Sequence, residues 1–296
     1  MYDIIIVGAG PAGLTAALYA LRANKKVLVL EAKSYGGQII NANKIENYPG
    51  LPNVSGFDYA TALYNQVKDF GGEIKFETVV RVEEDKKVIT NKDKYQAKAV
   101  ILAIGVENRK LGIDREIEMV GKGISYCATC DGNFYKGKDV AVIGGGNTAL
   151  EDALYLSDIA SHVYLIHRRN ELRGEKMYQT MLKDKENIEL ILDANVTKIL
   201  GEDVVSGIEV TFNSGEKKEI AVSGIFIAVG QEPNNEVFKN VATLNKNGYI
   251  ESDDGVHTNV EGIYVAGDAR VKDLRQLTTA VADGSIAATV AIKEMR

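Results

Sequence analysis

The chain has 296 residues, room for about two domains at roughly 150 residues each. Its 45% hydrophobic and 26% charged residues are ordinary for a globular protein with a real core. A formal net charge of −6 offers no basic face for nucleic acid, and no run approaches the ~18 apolar residues of a membrane-spanning helix.

In chain order, the first element is an apolar run in MYDIIIV, suited to a buried parallel strand. It lacks the basic segment and cleavage site of a signal peptide, so a cytoplasmic protein is expected. A G-x-G-x-x-G turn follows (Gly8, Gly10, Gly13, with Pro11 and Ala12 between), then apolar residues at helical spacing and a second strand, KVLVLEAK. The first glycine permits the tight turn and the second lets a pyrophosphate approach the backbone. The third allows close helix–strand packing, with phosphates at the helix N-terminus. The whole unit recurs at 139–169, with Gly144, Gly146 and Ala149 in the turn and Asn147 and Thr148 opening the helix. One such turn is weak evidence; two in matching context indicate two dinucleotide sites.

The ends of the second strands separate the two sites. Glu31 lies 23 positions after Gly8, and His167 lies 23 positions after Gly144. An acid there suits a ribose and repels a 2′-phosphate, so the first site is expected to take FAD or NAD. His167, Arg168, Arg169 and Arg173 instead offer guanidinium groups to a 2′-phosphate, so the second is expected to take NADPH. Further strand–turn readings fall at 98–111, containing Gly105, at 222–234, and at 261–270, ending in Gly267 and Asp268; residues 275–295 read as a helix.

Between the two units lies CATCDG, which holds both cysteines, Cys127 and Cys130, with Asp131 behind them. A C-x-x-C bridge closes too small a loop to add much chain-entropy stabilisation. Zinc needs about four ligands, and the three histidines (His162, His167, His257) lack metal-site spacing, so no metal is expected. Thiol exchange is the remaining use of such a pair, and Asp131 is the candidate acid–base group.

Taken together, GAGPAG, GGQ (36–38), ENYPG (46–50), CATCDG, GGGNTALE, HRRNELR, and AGD with RQ (275–276) resemble the bacterial-type, low-molecular-weight thioredoxin reductases, class II pyridine nucleotide–disulfide oxidoreductases. The resemblance covers essentially the whole chain. It departs only mildly: leucine stands in HRRNELR where an aromatic is common, and NTALED replaces the frequent NSAVEE. It implies an α/β protein with two Rossmann-like dinucleotide-binding domains (three-layer ββα), the NADPH domain inserted into the FAD domain. The expected division is 1–115 with 246–296 for FAD, and 116–245 for NADPH and the redox disulfide. The FAD residues implied are Gly8, Gly10, Pro11, Ala12, Gly13, Glu31, Gly37, Gln38, Asn47, Gly105, Gly267, Asp268, Arg275 and Gln276. By the same resemblance Cys130 faces the flavin and Cys127 attacks the disulfide of thioredoxin or a thioredoxin-like protein. A homodimer is implied as well, and a rotation of the inserted domain. The alternatives are a ferredoxin-dependent flavin thioredoxin reductase, or a reductase of a glutaredoxin-like or peroxiredoxin-system protein.

Overall fold

In the computed structural model, all residues are described except Asn43, Lys44, Glu46, Pro52, Gly255 and Arg296. The chain forms two compact units: Met1–Ile40, Tyr48–Glu107 and Glu232–Arg296 make the first, Asn41–Asn47 and Asn108–Gln231 the second. Both are built on the same plan.

In the first unit, Tyr2–Val7 is the central strand because its apolar residues fit both faces of a sheet. It pairs in parallel with Val27–Glu31 on one side and Lys94–Leu102 on the other. Glu73–Phe76 and Ile263–Val265 extend the parallel sheet, also in parallel register. The N-terminal half of Lys94–Leu102 runs on into an antiparallel ribbon with Lys87–Thr90 and Val79–Val82. Alternation along the strand sorts the two cores. Ile4 and Ile6 pack with Ala16, Ala17, Ala287 and Ala288 of the helices Pro11–Arg22 and Leu277–Glu294. Ile5 and Val7 face the opposite side, against Val82, Val88 and Phe238. Small residues bring the two helices close: a Cβ at Gly284 would collide with the Ala12 carbonyl oxygen. Helix, parallel sheet and antiparallel ribbon are the three layers.

The second unit repeats this. Its parallel sheet runs Ile188–Ile191, His162–Ile166, Asp139–Ile143, Gly224–Ile227, Ile124–Ser125. Val140 and Val142 face the helix Asn147–Ser157 through Ala149, Leu150 and Ala153. Ala141 and Ile143 face an antiparallel sheet of Ala194–Leu200, Gly207–Phe212 and Lys217–Ala221 through Val196, Ile208 and Ile220. The α/β class and the two Rossmann-like units thus follow the sequence pattern. Apart from the short Asn41–Asn47 segment, the chain passes between the units at Glu107/Asn108 and Gln231/Glu232; the sequence division places the passages at 115/116 and 245/246. Among the described residues no helix is long and apolar enough to cross a membrane.

Candidate active site

Cys127 and Cys130 are joined in a disulfide, with their Cα atoms 5.3 Å apart. Cys127 caps the short helix Ala128–Asp131, whose Ala128 is buried and anchors it on the unit's core. Gly132 lets the chain close onto the next helix, since a Cβ there would sit 3.0 Å from Leu156 and 3.1 Å from Tyr155. Backbone and side chains then fix the pair. The Ser125 hydroxyl accepts the Cys127 N–H at 3.0 Å, and the Cys127 carbonyl accepts the Asp131 N–H at 3.1 Å. The Thr129 hydroxyl lies 3.4 Å from the Cys127 sulfur. Upstream, Tyr126 donates to the buried Glu116 at 2.7 Å, which also accepts the Leu111 and Gly112 amides at 3.0 and 2.8 Å.

Asp131 is half-buried, and its Oδ1 has no hydrogen-bond partner. Burial pushes its pKa above the ordinary carboxylate value, and a hydrogen bond from Ser125 opposes that in part. A carboxyl group that holds its proton more tightly than usual, beside a disulfide, is placed to exchange one.

Downstream, Gly144 adopts φ +157°, and a Cβ there would meet the Ala228 carbonyl oxygen. Around Gly146, the helix N-cap, nothing lies within 4 Å of where a Cβ would point, which leaves the approach open to a phosphate. His167 is buried with its ring packed against Gly145. Burial chiefly, then Arg173, Arg169 and Arg168, lower its pKa, so it is neutral at pH 7. The three arginines are exposed, and among the described residues no carboxylate pairs with any of them. Asn147 exchanges two hydrogen bonds with Glu175.

In the first unit, Gly8 (φ +107°) and Gly13 make the tight turn: a Cβ on either would collide with the carbonyl oxygen of Ala103 or of Gly8. Gly10 faces the Cα of Gly37 at 3.9 Å from its Cβ direction, and the Gly36 amide donates to the Ala9 carbonyl at 2.8 Å. Pro11 opens the helix. Glu31 ends its strand and accepts the Ala9 and Lys33 amides, each at 2.8 Å, so it braces the glycine turn. Gln38 donates to the Val106 carbonyl, and Gly105 (φ +66°) has open space before it. Asn47 falls in the segment counted with the second unit, and Glu46 of ENYPG lies outside the described residues.

Gly267 (φ +77°) brings the strand end against Ala12, where a Cβ would stand 2.9 Å from that residue's own. Asp268 follows, its Oδ1 buried without a partner and its pKa raised by burial, against the pull of Lys272 and Arg275. Arg275 stacks over Tyr249 at 4.2 Å, and Gln276 forms a capping box with Thr279. Open turn amides at a helix N-terminus to donate to phosphates, and a buried acceptor at a strand's C-terminal end for a hydroxyl, are what a dinucleotide with a polyol needs. The residues fit FAD.

Four residues were not singled out from the sequence. Ser125, Glu116 and Glu175 carry no local signal. Asp283 does: it is the one acidic residue within the small-residue run TTAVADGSIAATVA. It is buried, accepts the Gly267 amide at 3.0 Å, and pairs with Arg270 at 3.2 Å and Lys272 at 2.8 Å.

Comparison with known proteins agrees with this geometry. The family model described as pyridine nucleotide-disulphide oxidoreductase matches residues 2–284. A thioredoxin reductase of Bacillus subtilis is 42% identical over 293 residues, 97% of this chain and 93% of the relative. One from Listeria monocytogenes is 40% identical over 292 residues, 97% of this chain and 92% of the relative. The crystal structure of thioredoxin reductase from Streptococcus pyogenes superposes with a TM-score of 0.94 at 40% identity, covering 100% of this chain and 98% of that one. The chain belongs to the pyridine nucleotide-disulphide oxidoreductase family.

Proposed function

We propose that the protein is a flavoenzyme that reduces the disulfide of thioredoxin with electrons from NADPH. The observation that carries this reading is the Cys127–Cys130 disulfide, with a half-buried Asp131 behind it, directly upstream of a nucleotide turn. Gly8 to Gly13, Gly37, Gln38, Gly105, Gly267, Asp268, Arg275 and Gln276 are the residues proposed to hold FAD, with Asp268 accepting a hydroxyl. When bound, FAD supplies hydride acceptance from NADPH and an electron pair for a disulfide. Gly144, Gly146 and Thr148 are proposed to receive the pyrophosphate of NADPH, and Arg168, Arg169 and Arg173 its 2′-phosphate. Three exposed guanidinium groups, none paired with a carboxylate among the described residues, favour NADPH over NADH and over a protein electron donor.

In the dithiol form, Cys127 attacks as a thiolate. One sulfur–sulfur bond of thioredoxin breaks, a mixed disulfide forms, and the departing sulfur takes a proton. Cys130 then attacks the Cys127 sulfur, which re-forms the Cys127–Cys130 bond and frees the second sulfur of the partner. Two electrons and two protons have moved to the partner. Asp131, whose partial burial raises its pKa, is proposed to supply the proton to the departing thiolate. A cytoplasmic homodimer accompanies the proposal.

The test is anaerobic NADPH oxidation by the FAD-loaded protein, coupled in turn to thioredoxin, a glutaredoxin-like protein and a peroxiredoxin, with reduced ferredoxin as a competing donor. Turnover with NADPH and thioredoxin at a kcat/KM well above the others is expected. Turnover only with ferredoxin, or only with another acceptor, overturns it.

A further inference from the structure

We propose that Glu175 is a positioning residue for nucleotide selection: with Asn147 it clasps the Arg173 loop onto the glycine turn and thereby sets the preference for a 2′-phosphorylated adenine nucleotide. The inference rests on the reading of the basic loop given above and deepens it.

Asn147 is the first residue of the helix Asn147–Ser157. Its Nδ2 donates to Glu175 Oε1 at 2.8 Å, and its Oδ1 accepts the Glu175 N–H at 2.8 Å. The same stretch of loop is held at a second point, where the Gly145 carbonyl accepts the Arg173 N–H at 2.6 Å and the Gly174 N–H at 3.0 Å. Gln179 adds a third, donating to the Gly174 carbonyl at 2.7 Å. Gly174 is buried between these contacts, with 3.2 Å between its Cβ direction and Asn147 Oδ1.

Glu175 occupies the N-cap of the helix Lys176–Lys183, yet its side chain makes no capping bond to that helix. An N-cap side chain ordinarily accepts from the first-turn amides. Glu175 is turned to Asn147 instead. Two consequences follow for Arg173, two residues upstream. Its backbone is pinned beside the turn that receives the phosphates, so its guanidinium starts from a fixed base. The Glu175 carboxylate is held by Asn147 and makes no ion pair with it. A released carboxylate at this distance in sequence would compete with phosphate for the same guanidinium. The clasp therefore protects charge selectivity as well as position. The guanidinium it positions meets the 2′-phosphate, so a nucleotide lacking that phosphate is not affected.

The experiment uses the full FAD-loaded chain and two probes, adenosine 2′,5′-bisphosphate and 5′-AMP, titrated calorimetrically. Unmutated protein binds the bisphosphate more tightly. Glu175→Ala removes the side-chain bond and raises the bisphosphate Kd about fivefold, as expected for the net contribution of one hydrogen bond at the surface. The 5′-AMP Kd stays within about twofold, the range of a neutral surface change. Glu175→Gln, whose amide oxygen still accepts from Asn147, keeps the bisphosphate Kd within about twofold of the parent. In steady state the KM for NADPH rises in Glu175→Ala with kcat unchanged, and the KM for NADH does not move. Equal weakening of both probes, or equal loss in the Gln and Ala variants, overturns the inference. So does an unchanged bisphosphate Kd in Glu175→Ala when the parent does prefer the bisphosphate. A parent that binds both probes equally overturns the underlying reading of the basic loop, and the inference falls with it.

Discussion

Replacing Asp283 by Asn removes the carboxylate that pairs with both Arg270 and Lys272 in a buried cluster. The side chains of Asp283, Arg270 and Lys272 are only 8%, 13% and 10% exposed, so this is an interior network rather than a surface ion pair. Arg270 retains Ser252 Oγ at 2.8 Å and the Asp253 carbonyl at 2.9 Å. Lys272 has Asp283 as its one ion-pair partner among the described residues, so the variant leaves a buried ammonium without an ion pair. Breaking a buried pair from one side costs about 3–5 kcal/mol. At roughly 2–4 °C per kcal/mol for a unit of this size, the melting midpoint of the FAD-loaded protein falls by about 6–20 °C. Calorimetry on Asp283→Asn and on Asp283→Asn with Lys272→Met measures it, and the double variant recovers a large part because the buried ammonium is gone and Arg270 keeps its Ser252 and Asp253 acceptors. FAD retention at 25 °C falls in parallel, since the Gly267 amide that Asp283 accepts directly precedes Asp268. A midpoint within about 2 °C of the parent would refute the reasoning.

Three further outcomes are expected. Asp131→Asn slows thioredoxin reduction by about 10²-fold or more, the usual worth of a general acid, with NADPH-to-flavin transfer unchanged by stopped flow. The same variant gains thermal stability at pH 7, because the folded carboxyl resists ionisation while the unfolded one is ionised. That gain vanishes as pH falls below the ordinary value of 3.8, where both states are protonated. His257→Gln reads a second titration. Glu294 and Asp253 hold His257 above its ordinary 6.5, so its stabilisation is present below pH 6.5 and is lost as pH rises through the higher folded value. The difference in melting midpoint between parent and variant shrinks from pH 6 to pH 9, and the stabilisation behind it stays under ~1 kcal/mol because the site is more than a third exposed. Gly146→Ala, at a position with open space and no left-handed backbone, leaves the melting midpoint unchanged while KM for NADPH rises at least about tenfold, because the added methyl stands where the phosphates approach.

Much of this architecture was legible in the sequence because glycine turns and period-two strands are local signals. Gly8, Gly13 and Gly144 are where a Cβ would strike a backbone carbonyl, which is why the motif reads so clearly. Glu31 was legible as an acid at the strand end, but its bracing of the Ala9 and Lys33 amides was not. Partners chosen by tertiary placement leave no trace in spacing. Glu116 meets Tyr126 and the Leu111–Gly112 amides, Asp283 meets Arg270 and Lys272, and Glu175 meets Asn147 across 28 positions. The passages between the units were set from where the second motif begins, and no composition shift marks Glu107/Asn108 or Gln231/Glu232.

The central claim is that electrons from NADPH leave through Cys127 and Cys130. Differential alkylation before and after anaerobic addition of one equivalent of NADPH to the FAD-loaded protein, read by mass spectrometry, tests it most directly. The account predicts no alkylated cysteine before NADPH and both Cys127 and Cys130 alkylated after it, with NADH far less effective. NADPH oxidised while the Cys127–Cys130 bond stays intact would contradict it.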